Sequence, residues 1–122
     1  MPTSTSAPRL FDAEFQRYHA VRPDFHVNEI HLAPTQSVPW HLHTHVQDTF
    51  FVLEGSLQIS LRKPCEEVRL RQGETFTVAA RRPHRVTNDG CARAGFLVLQ
   101  GFGKYDFIAL PEENQGDGEP SS

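Results

Sequence analysis

Short runs in which apolar and polar residues alternate fill the middle of the chain and predict β-strands. Residues 56–62 place Leu57, Ile59 and Leu61 on one face of an extended segment, and residues 74–78 repeat the pattern. Glycine and proline residues separate these runs at short intervals, and no long stretch has the 3.6-residue period of a helix. The pattern predicts an all-β sandwich or barrel. Residues 12–19 fit either a helical turn or an edge strand.

Two runs are apolar at every position. Phe50–Leu53 and Phe96–Leu99 have no polar face, whereas a strand in an antiparallel sheet with one solvated side alternates. Both faces of these strands should therefore be covered. Another sheet, a terminal segment or another subunit could supply the second cover, and we favour a homodimer interface.

Composition fits one small domain. The chain has 122 residues, of which 38% are hydrophobic, and it contains no apolar run long enough for a transmembrane helix. Residues 111–122 carry four acidic and no basic residues, so the net charge of −3 leaves +1 for residues 1–110. A near-neutral body predicts no binding to nucleic acid or to a membrane. We expect disordered tails at 1–8 and 111–122 around a β-barrel domain at 9–110.

Cysteine content and the first residues bear on the compartment. Cys65 and Cys91 are too few for a disulfide framework, and we assign them no role. Residues 1–6 lack the basic and apolar stretches of a signal peptide. Both features predict a cytoplasmic protein.

Histidine supplies the candidate chemistry. In an extended strand His41 and His43 project from the same face, with His45 as a further candidate, and Asp48 follows closely. Several imidazoles on one face suit a divalent metal better than a core, because each buried neutral ring needs partners for two nitrogens. The alternative is an exposed histidine-rich loop. His84 is the candidate ligand from a distant strand.

The spacing of these residues resembles a small single-domain cupin. The first cupin motif has two His separated by one residue, then a carboxylate and a Gly, and the second has Gly, His and Asn at fixed distances. The matching residues are His41, His43, Asp48 and Gly55 in the first motif and Gly73, His84 and Asn88 in the second. Asp48 replaces the usual Glu, while Ala79 and Arg81 replace Pro and Gly.

The resemblance implies a jelly-roll barrel, the double-stranded β-helix, with a divalent metal held by His41, His43, Asp48 and His84. Iron is the leading expectation, with zinc, manganese and nickel as alternatives. The implied function is a metal-dependent oxidoreductase, foremost a dioxygenase of a small aromatic or enolic substrate, with Asp48 as ligand and catalytic base. The alternatives are a non-catalytic metal-binding or small-ligand-binding module and a cyclase or isomerase. By strand parity Phe50 would face the cavity.

The departures from the motifs leave two questions. Asp is one methylene shorter than Glu, so Asp48 could miss the ion or bind it through water, and Gln47 or His45 could compensate. The turn before His84 carries three arginines. They form either a solvated basic rim or an anion clamp for a carboxylate substrate, and they are Arg81, Arg82 and Arg85.

Overall fold

A computed structural model describes residues 11–112, which form ten β-strands and no helix. The strands are β1 (Phe15–Arg22), β2 (Phe25–Leu32), β3 (Ser37–Leu42), β4 (Gln47–Glu54), β5 (Ser56–Leu61), β6 (Glu66–Arg71), β7 (Thr75–Val78), β8 (His84–Asn88), β9 (Ala94–Gly101) and β10 (Ile108–Ala109). The expected tail at 1–8, the start of the domain at 9, and all but two residues of the tail at 111–122 lie outside the described residues. Within 11–112 no helix could span a membrane.

The strands pair into two five-stranded antiparallel sheets. One has the order β1-β2-β9-β4-β7, and the other β10-β3-β8-β5-β6. Alternate side chains of each strand point between the sheets, where the apolar ones form a single core. The central members of that core are Leu32, Val52, Leu57, Ile59, Val86, Phe96 and Val98. The all-β prediction is confirmed.

Strands predicted from alternation form where the pattern placed them. Leu57, Ile59 and Leu61 of β5 are all buried, and the residues between them are half-buried. The choice left open for residues 12–19 is decided by residues 15–19, which belong to edge strand β1 and pair with β2, while residues 12–14 precede the strand. That segment is an edge strand and not a helical turn.

The expectation that β4 and β9 are covered on both faces is not met within one chain. Phe50 and Val52 are buried between the sheets, as strand parity predicts. On the outer face Phe51 is 45% and Leu53 37% exposed. The homodimer that would cover this face stays a prediction.

Gly55 makes the sharp turn between β4 and β5. Its φ is +74°, a conformation that other residues rarely adopt. A Cβ at this position would lie 2.8 Å from the carbonyl oxygen of Arg93 and 2.9 Å from Cα of Ala94. Only glycine lets this turn rest on the start of β9, which fixes β4 against β9 in the register that places Asp48.

Candidate metal centre

Four polar side chains from three strands and one loop meet inside the barrel. His41 lies near the end of β3, His43 follows that strand, Asp48 belongs to β4, and His84 begins β8. All four are buried, and one ligand atom from each lies within 4.8 Å of the others. The structure therefore brings together the four residues that the motifs singled out.

Backbone carbonyls orient the three imidazoles. Nδ1 of His41 donates to Pro39 O at 2.7 Å, and Nδ1 of His84 donates to Arg82 O at 2.9 Å. Nδ1 of His43 donates to the carbonyl of Asp106. A carbonyl oxygen can only accept, so each ring carries its proton on Nδ1 and can turn Nε2 toward the cluster. Such hydrogen bonds behind the rings are the usual support for histidines that bind a metal.

The carboxylate of Asp48 is arranged as a fourth ligand. Its Oδ2 lies 3.1 Å from Nε2 of His43 and 3.2 Å from Nε2 of His84. Neighbouring ligands on a six-coordinate ion with bonds of about 2.1 Å are about 3.0 Å apart, so these spacings suit a shared ion. The other oxygen, Oδ1, is buried and has no hydrogen-bond partner among residues 11–112. Three nitrogens, one carboxylate and an orphaned buried oxygen fit a divalent metal, and the shorter side chain of Asp reaches the cluster.

The buried groups of the cluster shift one another's pKa values. Burial alone would lower the pKa of His43, but the hydrogen bond and charge of Asp48 outweigh it and raise that pKa. Burial alone would raise the pKa of Asp48, but hydrogen bonds from His43 and His84 hold it below its usual range. For His41, burial and then the neighbouring imidazoles lower the pKa to about 3. Asp48 is thus anionic and His41 is neutral, which are the forms that bind a divalent ion.

The proposed substitutes for Asp48 lie elsewhere. His45 and Gln47 are exposed, and neither belongs to the cluster. Strand β3 ends at Leu42, so the strand alternation does not extend to His45, and His43 reaches the cluster from the loop that follows.

The arginines on either side of His84 do not reach the cluster. Arg82 donates to Arg62 O and Pro64 O and pairs with Glu66, while the guanidinium of Arg85 lies 3.7 Å from Glu112. An anion clamp is therefore not formed.

Arg81 has a backbone role in the turn before His84. It occupies the position of the motif glycine and has φ of +69°. Its amide donates to the carbonyl of His43 at 2.7 Å. The turn thus keeps the left-handed conformation that glycine usually supplies, and it links the two motifs.

A segment missed by the sequence interpretation covers the centre. The ring of Phe107 stacks on His41 at 4.3 Å, and that of Tyr105 lies 5.3 Å from His43. Asp106 accepts from the amide of Thr44 through Oδ1 at 2.7 Å, in addition to holding His43. No periodicity or motif marks residues 105–107 in the sequence.

The interior beside the cluster is a small cavity with mixed walls. Its volume is about 20 Å³. The aromatic and aliphatic walls come from Phe11, Ile30, Val38, Phe50, Val86, Phe96, Val98 and Phe107, and the polar walls from Gln16, Tyr18, Asn28, His41, Asp48, Gln100 and Tyr105. Asn28 and Gln100 were also missed, although each is a polar residue at an inward position of an apolar strand.

Two antiparallel sheets that enclose three histidines and a carboxylate define a double-stranded β-helix protein whose buried cluster could hold a metal ion. The cupin-domain sequence profile matches residues 28–104, and the chain belongs to that family. The predicted cupin fold is therefore confirmed. No curated protein sequence matched the chain.

Solved structures show the same fold. A conserved double-stranded β-helix protein from Klebsiella pneumoniae is similar with a TM-score of 0.71 and 22% identity, over 86% of this chain and 90% of that one. An oxalate oxidase is similar with a TM-score of 0.66 and 20% identity, over 72% of this chain and 47% of that one. Oxalate decarboxylase from Bacillus subtilis is similar with a TM-score of 0.65 and 16% identity, over 71% of this chain and 24% of that one. The chain thus spans about half of the oxidase chain and about a quarter of the decarboxylase chain.

Proposed function

We propose that this cupin is a metal-dependent oxidoreductase that acts on a small substrate with dioxygen. The observation that carries the proposal is the buried set of three imidazoles and one carboxylate whose ligand atoms lie within 4.8 Å of one another. Four protein ligands leave open positions on a six-coordinate ion, as in non-haem iron sites. Two of the structurally similar proteins are an oxidase and a decarboxylase of oxalate, which supports a metalloenzyme without indicating this substrate.

His41, His43 and His84 would hold the ion through Nε2, and Asp48 would hold it through its carboxylate. When bound, a redox-active ion such as iron supplies the open coordination positions and the electron transfer that dioxygen chemistry requires. The low pKa of Asp48 keeps it ionised, which supports a role as ligand more strongly than a role as base. The hydrogen bonds from Nδ1 to backbone carbonyls fix the rings, so the site is preorganised before the ion arrives.

The cavity supports the enolic substrate better than the aromatic one. A volume of about 20 Å³ leaves room for only a small molecule. An aromatic ring would have to displace Tyr105 or Phe107, which lie against the cluster. Phe50 and Phe96 give the cavity apolar walls, which suit an apolar part of the substrate.

The test combines metal analysis with oxygen uptake. Protein expressed without a histidine tag should contain about one equivalent of iron, and it should consume oxygen with a small enolic or aromatic compound. His84→Ala should lose both the metal and the oxygen uptake. His45→Ala is the matched control, because His45 is exposed and outside the cluster, and it should keep both.

The same measurements separate the competing functions. Stoichiometric zinc or nickel without turnover would indicate a binding module, and turnover without oxygen uptake would indicate a cyclase or isomerase. Absence of metal after metal-replete expression would overturn the proposal.

A further inference from the structure

Two carboxamides lie in the cavity next to the candidate metal centre. Gln100 of β9 pairs directly with Asp48 of β4, so their side chains are neighbours on the inner face of the sheet. Asn28 of β2 pairs with Val98, which is the inward position before Gln100 on β9. Asn28 is 3% and Gln100 7% exposed, and both line the cavity. The two amides therefore face the space where a substrate would meet the ion.

The oxygens of these amides have no hydrogen-bond partner. Within the described part of the chain, Asn28 Oδ1 and Gln100 Oε1 are buried and accept no hydrogen bond. Burying an unpaired acceptor costs stability, and native proteins avoid it unless water or a ligand supplies the donor. Core packing would be better served by leucine or methionine at either position. Water or a bound molecule would supply that donor, and the place of both oxygens beside the cluster suits a donor-bearing substrate.

The charges around the cavity indicate what kind of molecule this is. Among residues 11–112 no lysine or arginine lines the cavity, and its one carboxylate is that of Asp48. The phenols of Tyr18 and Tyr105 also line the cavity, and a phenol carries no charge at neutral pH. A dicarboxylate could place one end on the ion, but its other end would be buried without a cationic partner. A neutral molecule with hydroxyl groups meets neutral acceptors instead.

We propose that Asn28 and Gln100 form the substrate-orienting subsite and select a small neutral molecule with a hydroxyl group beside a carbonyl, in preference to a dicarboxylate. The proposal rests on the proposed metal-dependent function and names its substrate class. The carbonyl end of this substrate would approach the ion, and its hydroxyl group would donate to the amide oxygens of Asn28 and Gln100. The small volume limits the molecule to a few heavy atoms.

The test is calorimetric binding of hydroxyacetone and of oxalate to the metal-loaded protein. Hydroxyacetone should bind more tightly than oxalate, and Asn28→Leu or Gln100→Met should each weaken hydroxyacetone binding at least tenfold. Gln72→Met, at an exposed position, is the matched control and should leave binding unchanged. The affinity for the metal, titrated separately, should be the same in all four proteins.

The thermal unfolding midpoint of each metal-free variant tests the alternative that the two amides only stabilise the fold. Because the amide oxygens have no partner, Asn28→Leu and Gln100→Met should keep or raise the midpoint. A lower midpoint in both would show that the amides serve the fold, and unchanged hydroxyacetone binding in both would overturn the subsite. Tighter binding of oxalate, or no binding of hydroxyacetone to the parent protein, would overturn the neutral substrate class. Failure of the parent protein to bind metal would instead refute the proposed function.

Discussion

Replacing Asp48 with asparagine tests whether the buried carboxylate makes the cluster a metal site. Asp48 is 2% exposed, and its Oδ2 lies 3.1 Å from His43 and 3.2 Å from His84. Asparagine keeps the shape and one acceptor oxygen but removes the charge. The charge of Asp48 that raises the pKa of His43 is then lost, so the neutral form of His43 is favoured and no buried charge is left unpaired. We expect the metal-free variant to lose about 1–2 kcal/mol of its free energy of unfolding.

The larger effect should appear with the metal present. At a free metal concentration about 100 times Kd, binding stabilises the parent protein by about 2.7 kcal/mol. If the loss of one ligand weakens metal binding about 100-fold, the same metal concentration equals the Kd of the variant. Metal binding then stabilises the variant by only about 0.4 kcal/mol. For a domain of this size each kcal/mol shifts Tm by about 4–8 °C. The metal-induced shift should therefore fall from about 10–20 °C to about 2–3 °C.

The assay is thermal unfolding of chelator-treated protein with and without added iron, manganese, nickel or zinc. Asp89→Asn is the matched control, because Asp89 pairs with Arg69 on the surface and lies outside the cluster. It should show the full shift. An equally large shift in Asp48→Asn would refute the role of Asp48 as a ligand. No shift with any of the four ions in the parent protein would refute the metal site itself.

Three further predictions concern pH, the turn at Arg81 and assembly. Metal affinity should fall about tenfold per pH unit below the raised pKa of His43, because the ion must displace the proton of that ring. Titration calorimetry measures the affinity, and a constant value from about pH 7.5 to about pH 5 would contradict histidine ligation. Arg81→Gly should raise the free energy of unfolding by up to about 1 kcal/mol, because φ is +69° there, and a loss of stability in urea denaturation would contradict this. Light scattering at micromolar concentration should give a dimer that Phe51→Glu dissociates, since Phe51 is exposed on the outer apolar face; a monomeric parent protein would exclude the interface.

Strand positions could be predicted from the sequence because each strand has its own local pattern. The alternation of Leu57, Ile59 and Leu61 specifies which side of β5 is buried, whatever the rest of the chain does. Segment 12–19 was ambiguous because only its pairing with β2 makes it a strand. Pairing between strands is a tertiary property, so local pattern could not decide it.

The candidate centre could be predicted where its residues are close in sequence or fixed by motif spacing. This holds for the four cluster residues, His41, His43, Asp48 and His84. The residues around the cluster could not be predicted in this way. Asp106 holds His43 through a backbone carbonyl, an interaction that any residue type could make, so its identity carried no signal.

Asn28 and Gln100 did leave a signal in the sequence. Gln100 continues the inward positions of Ala94, Phe96 and Val98 on β9, where another apolar residue would be expected. Asn28 interrupts the inward positions of β2 in the same way. A polar residue in register with a buried apolar series marks a strand end that faces a cavity, and this criterion would have found both.

The positions of these polar residues explain how so small a barrel carries both a core and a site. On β9 the inward side chains are apolar at the start of the strand and end with the polar Gln100. On the antiparallel neighbours β2 and β4, the polar residues Asn28 and Asp48 precede the apolar inward residues of their strands. Because neighbouring strands run in opposite directions, all three polar side chains lie at the same end of the sheet. The opposite end, around Leu32 and Ala94, is wholly buried and apolar. One end of the barrel therefore supplies the packing energy, and the other end can keep unpaired acceptors and open ligand positions without loss of the fold.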